Sequence, residues 1–252
     1  MSNKPDQKVA FITGANKGLG LETGRGLGKL GYAVVLGSRD LGRGKAAADK
    51  LRSEGVADVE AFQFDVTNYD DHKKVARHIE ERYGRLDVLV NNAGAQFEKA
   101  DFASDFNTTS HCPIDALRNT FDTNFFAAVS LTQTLLPLIR KALAGRIVNV
   151  SSILGSLTLH SDPKSDIYNK KAFAYDASKT ALNAFTVHLA QELRNTKIKV
   201  NSAHPGWVQT DMGGSAAPLG ISEGGKTSIE LATLPDDGPT GGYFHMGKKI
   251  PW

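Results

Sequence analysis

The chain has 252 residues, 40% of them hydrophobic and 23% charged, which is enough apolar content for one large α/β domain or two small ones. A formal charge of +3 carried by scattered Lys and Arg excludes the clustered basic footprint of a nucleic-acid-binding protein. A single cysteine, Cys112, leaves no internal disulfide, and the seven histidines form no spaced ligand set, so no metal is expected.

Met1 to Lys8 is polar, and no stretch approaches the ~20 apolar residues of a membrane span, so a cytoplasmic location is expected. Strands are predicted at Val9 to Thr13, Ala33 to Gly37, Val59 to Phe64, Val88 to Asn91, Ile147 to Ser151 and Ile198 to Ala203. Between them, helices are predicted at Leu19 to Leu30, Leu41 to Glu54, Tyr69 to Tyr83, Ile114 to Leu143 and Tyr175 to Arg194. Near-continuous β-branched runs separated by helices predict a doubly wound parallel α/β sheet, a Rossmann fold with helices on both faces. No linker or repeat divides the chain, so one domain is expected over 1–252, with a cofactor half to about 145 and a catalytic and substrate half beyond it. Ala95 to Pro113 and Gly213 to Thr227 read as irregular segments, each following the carboxyl end of a strand.

Thr13-Gly14-Ala15-Asn16-Lys17-Gly18-Leu19-Gly20 joins the first strand to the first helix. Glycines there let backbone N–H groups approach a pyrophosphate, and the helix amino terminus adds partial positive charge. Gly26, Gly28 and Gly31 match G-x-G-x-x-G letter for letter, but they end a helix and precede a strand, the wrong context for binding. Glycines at 24, 26 and 28 each lower helix propensity by up to ~1 kcal/mol against alanine, so close helix–sheet packing is expected there.

The second strand ends Leu36-Gly37-Ser38-Arg39. An NAD site usually carries an acidic residue here for the ribose 2′-hydroxyl. Ser38 cannot fill that role. Arg39, with Lys17 in the cradle, suits a 2′-phosphate, which favours NADP(H). A one-residue slip at the strand end would instead bring Asp40 to the ribose.

Tyr175 and Lys179 lie one helical turn apart on one face, so phenol and ammonium can serve one site. A nearby lysine charge stabilises phenolate and is expected to pull the tyrosine pKa down from ~10. The pair is a candidate proton donor and acceptor.

Together these residues resemble the short-chain dehydrogenase/reductase superfamily over nearly the whole chain. Thr13 to Gly20 resembles its glycine motif, Asn91-Asn92-Ala93-Gly94 the motif after the fourth strand, and Asn149-Val150-Ser151-Ser152 the serine strand. Tyr175 to Lys179 resembles the catalytic helix and Pro205-Gly206-Trp207-Val208-Gln209-Thr210-Asp211 the nicotinamide loop. Asn16-Lys17, Ser38-Arg39-Asp40, Pro205 to Met212 and the closing Pro251-Trp252 look most like the NADPH-dependent carbonyl reductase branch.

The resemblance implies that Tyr175 donates the proton, Lys179 holds the ribose, and Ser152 hydrogen-bonds the substrate oxygen. Ser151 is the rival to Ser152, since strand periodicity turns only one of them to the site. Asn124 would hold a water linking Lys179 to solvent, or else be a buried polar residue bonding backbone. By the same resemblance Gly14, Asn16, Lys17, Gly18, Leu19 and Gly20 would cradle the phosphates. Asp65 and Val66 would meet the adenine, although Asp65 also fits a helix N-cap. Asn91, Ala93 and Gly94 would pass the ribose, while Pro205, Gly206, Val208 and Thr210 would face the nicotinamide.

Ser152 and Tyr175 are separated by more residues than is usual in the family, the excess being the polar stretch His160 to Asn169. The resemblance implies a homo-oligomer, as in many relatives, and this insertion leaves a monomer open. The activity implied is reduction of a small-molecule ketone or aldehyde. An alcohol or hydroxysteroid dehydrogenase working oxidatively and a dinucleotide sensor without chemistry are the competing readings, the intact Ser152/Tyr175/Lys179 set speaking against the second. Ala95 to Pro113 with Phe97, Phe102 and Phe106, Ser161 to Phe173, and Gly213 to Thr227 flanked by Trp207 and Met212 would wall an apolar pocket for aryl or bulky alkyl ketones. Trp252 reads as a terminal packing anchor, and Cys112 as a partly buried small residue.

Overall fold

Residues 7–98 and 109–252 are described in a computed structural model. The β-branched runs become β1 (Val9–Ile12), β2 (Ala33–Ser38), β3 (Val59–Gln63), β4 (Val88–Asn91), β5 (Arg146–Val150) and β6 (Lys199–Ala203). Two short strands follow, β7 (Tyr243–His245) and β8 (Lys248–Lys249). Among the described residues they form one sheet in the order β3-β2-β1-β4-β5-β6-β7-β8. Every pairing is parallel except that of β8 with β7. The order reverses between β1 and β4, which opens a crevice at the carboxyl ends of these strands.

Successive strand residues supply opposite faces. Phe11, Val35, Leu89 and Ile147 pack under Val75 and Ile79 of α3 (Tyr69–Tyr83), Leu131 and Leu135 of α5 (Ala127–Ile139), and Leu189 of α7 (Phe173–Glu192). Ile12, Val34, Val90 and Val148 pack on the other face under Leu27 of α1 (Gly18–Lys29), Leu51 of α2 (Leu41–Ser53) and Leu231 of α8 (Ile221–Ala232). Burial on both faces accounts for the near-continuous apolar strands, and the doubly wound α/β expectation is met.

The glycines of α1 act through close approach. A Cβ on Gly24 would come within 2.9 Å of Leu36, one on Gly26 within 2.3 Å of Ile229, and one on Gly28 within 2.3 Å of Val56. Gly24 admits the sheet, Gly26 admits α8, and Gly28 admits the end of the α2 connection.

The structure departs from the sequence reading in three places. The predicted helix Ile114 to Leu143 is α4 (Ile114–Phe121), a π turn over Asp122–Phe126, and α5, which stops at Ile139. The segment read as irregular from Gly213 to Thr227 is irregular only as far as Gly220, because α8 begins at Ile221. Gly224 and Gly225, within the segment read as irregular, let α8 pack closely, since their Cβ positions fall 2.5 Å from Val208 and 2.7 Å from Glu22. The insertion before Tyr175 contains a short helix, α6 (Leu157–Ser161), which begins upstream of the expected polar stretch. Trp252 is the anchor expected of it, stacked on Tyr243 at 5.4 Å, with its carbonyl accepting from the Thr158 N–H at 2.8 Å. No helix among the described residues is long and apolar enough to cross a membrane.

Candidate active site

The glycine turn is tied to the end of β4. Thr13 Oγ1 accepts from the Asn92 and Ala93 N–H groups at 3.0 and 2.9 Å, and the Asn92 amide donates back to the Thr13 and Gly14 carbonyls at 2.8 and 3.2 Å. Gly14 and Gly18 have φ of +62° and +57°, which favours glycine at both positions. α1 opens with no side-chain cap and no acid in its first turn. Its first N–H groups therefore suit an anion, and these residues fit the pyrophosphate of a dinucleotide. Across the crevice, a Cβ on Gly18 would meet Thr210 at 3.7 Å, so the cradle faces the loop after β6.

At the end of β2, Ser38 is buried and donates to the Asp40 carbonyl at 2.8 Å, while Arg39 is exposed. Asp40 caps α2 by accepting from the Arg43 N–H at 3.0 Å, a role that holds its carboxylate at the helix start. The Lys17 ammonium pairs with Asp211 of the loop after β6. Asp65 does not cap α3, because Asn68 does so by accepting from the Asp70 N–H. The Asp65 carboxylate accepts instead from the Thr67 N–H at 2.9 Å and the Thr67 hydroxyl at 2.8 Å. The backbone at 65–66 is gripped by α3: Asp71 accepts from the Asp65 N–H at 3.1 Å, and His72 Nε2–H donates to the Val66 carbonyl at 2.8 Å. The Asn91 amide points into the core, its NH2 donating to Thr132 and Asn149 at 3.0 and 2.8 Å.

α7 starts at Phe173, two residues before the prediction, and places Tyr175 and Lys179 on one face. Lys179 is 3% exposed, donates to the Val150 carbonyl at 2.8 Å, and holds its ammonium 5.6 Å from the centre of the Tyr175 ring. Burial of its end pushes the Tyr175 phenol up to about 12, against a hydrogen bond from Ser152 that favours phenolate, while the Asp176 charge adds to the rise. Burial takes Lys179 down to about 8. The downward pull expected from Lys179 is not among the causes acting on the phenol, whose shift is dominated by desolvation.

Ser152, after β5, is the serine turned to Tyr175. Ser151 is 2% exposed and faces Tyr243. Gly155 lets the serine turn lie on α7, its Cβ position being 2.9 Å from the Lys179 backbone carbonyl carbon. Gly94 sits between Lys179 and Asn124, with a Cβ position 3.4 Å from Nζ and 3.5 Å from Oδ1. Asn124 lies on the π turn, accepts from the Ala95 N–H at 2.8 Å, and donates to the Ala95 carbonyl and Ser178 hydroxyl, each at 2.9 Å. Its side chain thus does the backbone bonding that was one of its two readings.

After β6, Pro205 and Gly206 lead to Val208, which bridges Leu219, and to Thr210, whose hydroxyl accepts from the Gly213 N–H at 3.1 Å. Phe97, Trp207 and Met212 are each about half exposed, at 52%, 54% and 50%. Phe102 and Phe106 lie outside the described residues. Cys112 is partly buried.

Residues 8–218 match the family model described as short chain dehydrogenase. The chain belongs to the short chain dehydrogenase family. It is 33% identical to carbonyl reductase (NADPH) 1 of Homo sapiens over 282 aligned residues, covering 97% of this chain and 98% of that protein. The carbonyl reductase Sniffer of D. melanogaster superposes with a TM-score of 0.82 at 30% identity, over 98% of this chain and all of that one. An NADPH-bound carbonyl reductase from chicken fatty liver superposes with a TM-score of 0.82 at 28% identity, covering 98% and 99%.

This short chain dehydrogenase also contains functional candidates that the sequence did not signal. Glu98 accepts from the Ala174 and Tyr175 N–H groups at 3.1 and 2.8 Å, capping α7 from far away in sequence. Asp176, which accepts from the Ala172 N–H at 3.0 Å, lies 3.3 Å from His160 Nε2. His160 donates from Nε2 to the Leu154 carbonyl at 2.8 Å and accepts at Nδ1 from Lys171 at 2.9 Å. The insertion is thereby tied to both the serine turn and α7.

Proposed function

We propose that the protein is an NADPH-dependent carbonyl reductase in which Tyr175 is the proton donor. The observation that carries this is the enclosed set of Ser152, Tyr175 and Lys179 at the end of β5, beside an uncapped α1 amino terminus. The human and fly relatives, named as carbonyl reductases, support it. Gly14 to Gly20 would hold the pyrophosphate, Arg39 and Lys17 the 2′-phosphate, Asp65 and Val66 the adenine, and Asn91 to Gly94 the ribose through backbone. Lys179 would hold the nicotinamide ribose, with Pro205, Gly206, Val208 and Thr210 at the ring. When bound, NADPH supplies hydride to the carbonyl carbon.

Ser152 Oγ would donate to the substrate oxygen and orient it against the Tyr175 phenol. With its pKa raised, Tyr175 stays protonated at neutral pH and gives Oη–H to that oxygen as charge develops there. Lys179 then faces the nascent phenolate, and a water held near Asn124 would return the proton. Phe97, Trp207 and Met212, apolar and exposed, favour aryl or bulky alkyl ketones over phosphorylated substrates. The test is oxidation of NADPH with a panel of ketones. Preference for a phosphosugar ketone over an aryl ketone would defeat the substrate assignment, and alcohol oxidation alone would favour the dehydrogenase direction.

A further inference from the structure

His204 directly follows β6 and precedes Pro205-Gly206, and its side chain is buried at 8% exposure. Its Nδ1 is 3.1 Å from the backbone nitrogen of Ile153, which directly follows Ser152, and 3.4 Å from that of Gly206. Both neighbours are N–H donors, so Nδ1 carries the lone pair and Nε2 the proton. Burial, reinforced by the adjacent His245, takes the imidazolium pKa down to about 3, so the ring is neutral in the working range of pH. The residue's backbone is anchored on both sides, and its ring lies against that of His245. The His204 N–H donates to the Phe244 carbonyl at 2.8 Å, His245 Nδ1–H donates to the His204 carbonyl at 2.9 Å, and the two imidazoles lie 4.8 Å apart. His245 also flanks Gly206, where a Cβ would come within 3.1 Å of its Cε1.

One acceptor therefore grips two turns that address different reactants in the proposed reaction. The turn at Ser152 presents the hydroxyl for the substrate oxygen, and Pro205-Gly206 opens the loop that would face the nicotinamide. We propose that His204 is a positioning residue that sets the spacing between the substrate carbonyl and the nicotinamide by holding both turns through Nδ1. It acts through the backbone and touches neither reactant. Loss of the acceptor leaves two part-buried N–H groups without their partner, which favours movement of the turns. A shift of about 1 Å between reacting groups can lower turnover by about 10²-fold.

The proposal rests on the reductase reading, and two substitutions separate geometry from packing. His204→Phe keeps the ring and removes the acceptor. His204→Asn puts a carbonyl oxygen where Nδ1 stood but removes the rest of the ring. The expected result for His204→Phe is a fall in kcat of about 10-fold or more, with NADPH Kd, read by cofactor fluorescence, within about 3-fold of the parent. The deuterium isotope effect with 4-deuterated NADPH should rise as transfer becomes more limiting. His204→Asn should recover most of the turnover although its Tm falls below that of His204→Phe. If His204→Phe does not fold, His204→Gln, whose carbonyl lies one methylene too far, takes its place. Turnover that follows Tm across the variants, or full turnover in His204→Phe, would overturn the proposal. Absence of NADPH turnover with every carbonyl in the parent enzyme would defeat the reductase reading itself. Amide exchange of Ile153 and Gly206 tests the grip independently of turnover: faster exchange in the Phe or Gln variant but not in Asn supports it, and unchanged exchange overturns it.

Discussion

Lys179 holds its ammonium 5.6 Å from the centre of the Tyr175 ring, yet the tyrosine phenol is pushed up to about 12 and the lysine down to about 8. Both shifts have burial as their largest cause, and burial disfavours whichever form is charged. The geometry thus stores Tyr175 as an acid and brings Lys179 close to neutrality under mildly alkaline conditions.

That burden should be visible in stability. The folded pKa of Lys179 lies below its ordinary 10.5, so between about 8 and 10.5 the unfolded chain binds more protons and stability rises with pH. Below about 8 the folded protein carries the full cost of a buried ammonium. Lys179→Met should therefore be more stable than the parent at pH 7, by on the order of 3 kcal/mol, with the difference shrinking as pH approaches 10. Denaturant unfolding at three pH values measures this. A pH-independent difference would show that the ammonium is solvated.

Asp176 has the opposite sign. Burial is the main cause raising its pKa from 3.8 to about 7; Glu98 adds to the rise, while the Ala172 N–H and Lys171 oppose it. The folded state holds this proton more tightly between about pH 4 and 7, so the contribution of Asp176 to stability falls as pH rises through that window. Asp176→Asn keeps an acceptor for Ala172 and removes the charge. It should match the parent near pH 4 and exceed it at pH 8 by on the order of 4 kcal/mol. Equal pH profiles for the two proteins would show that the carboxylate is satisfied where it sits.

The cofactor assignment turns on two cations. Arg39→Ala should weaken NADPH by at least about 10-fold and NADH hardly at all, because only the former carries the 2′-phosphate. Lys17→Ala should act in the same direction but less, because Asp211 competes for that ammonium. Titration calorimetry with both cofactors tests this. Equal losses for NADPH and NADH would place these charges elsewhere.

Gly155 tests how tightly the serine turn is seated on α7. A Cβ there would stand 2.9 Å from the Lys179 backbone, which cannot swing aside as a side chain can. Gly155→Ala should cost about 1 to 3 kcal/mol, the range for overpacking, and should lower turnover more than cofactor binding. Unchanged kcat would separate the turn from the chemistry.

The sheet and the glycine turn were legible because both leave local traces. β1 to β6 are short β-branched runs, and Gly14 to Gly20 needs backbone geometry and clearance that few residues permit. The two shortest strands left no such trace: β7 and β8 together hold five residues and are set by pairing with β6 and by the Tyr243–Trp252 stack. The start of α8 is hidden in the sequence because Gly224 and Gly225 look like breakers, whereas packing against Val208 and Glu22 overrides their low propensity. The π turn that carries Asn124 depends on tertiary contacts to Ala95 and Ser178. Glu98 and His204 act on residues distant in the chain, so spacing could not reveal them.

The most direct measurement is single-turnover oxidation of NADPH with an aryl ketone by the parent and by Tyr175→Phe. The account predicts that removing the phenol lowers the rate by at least about 10²-fold and leaves NADPH affinity within about 3-fold. A rate near that of the parent would contradict it, because Tyr175 would then not be the proton donor.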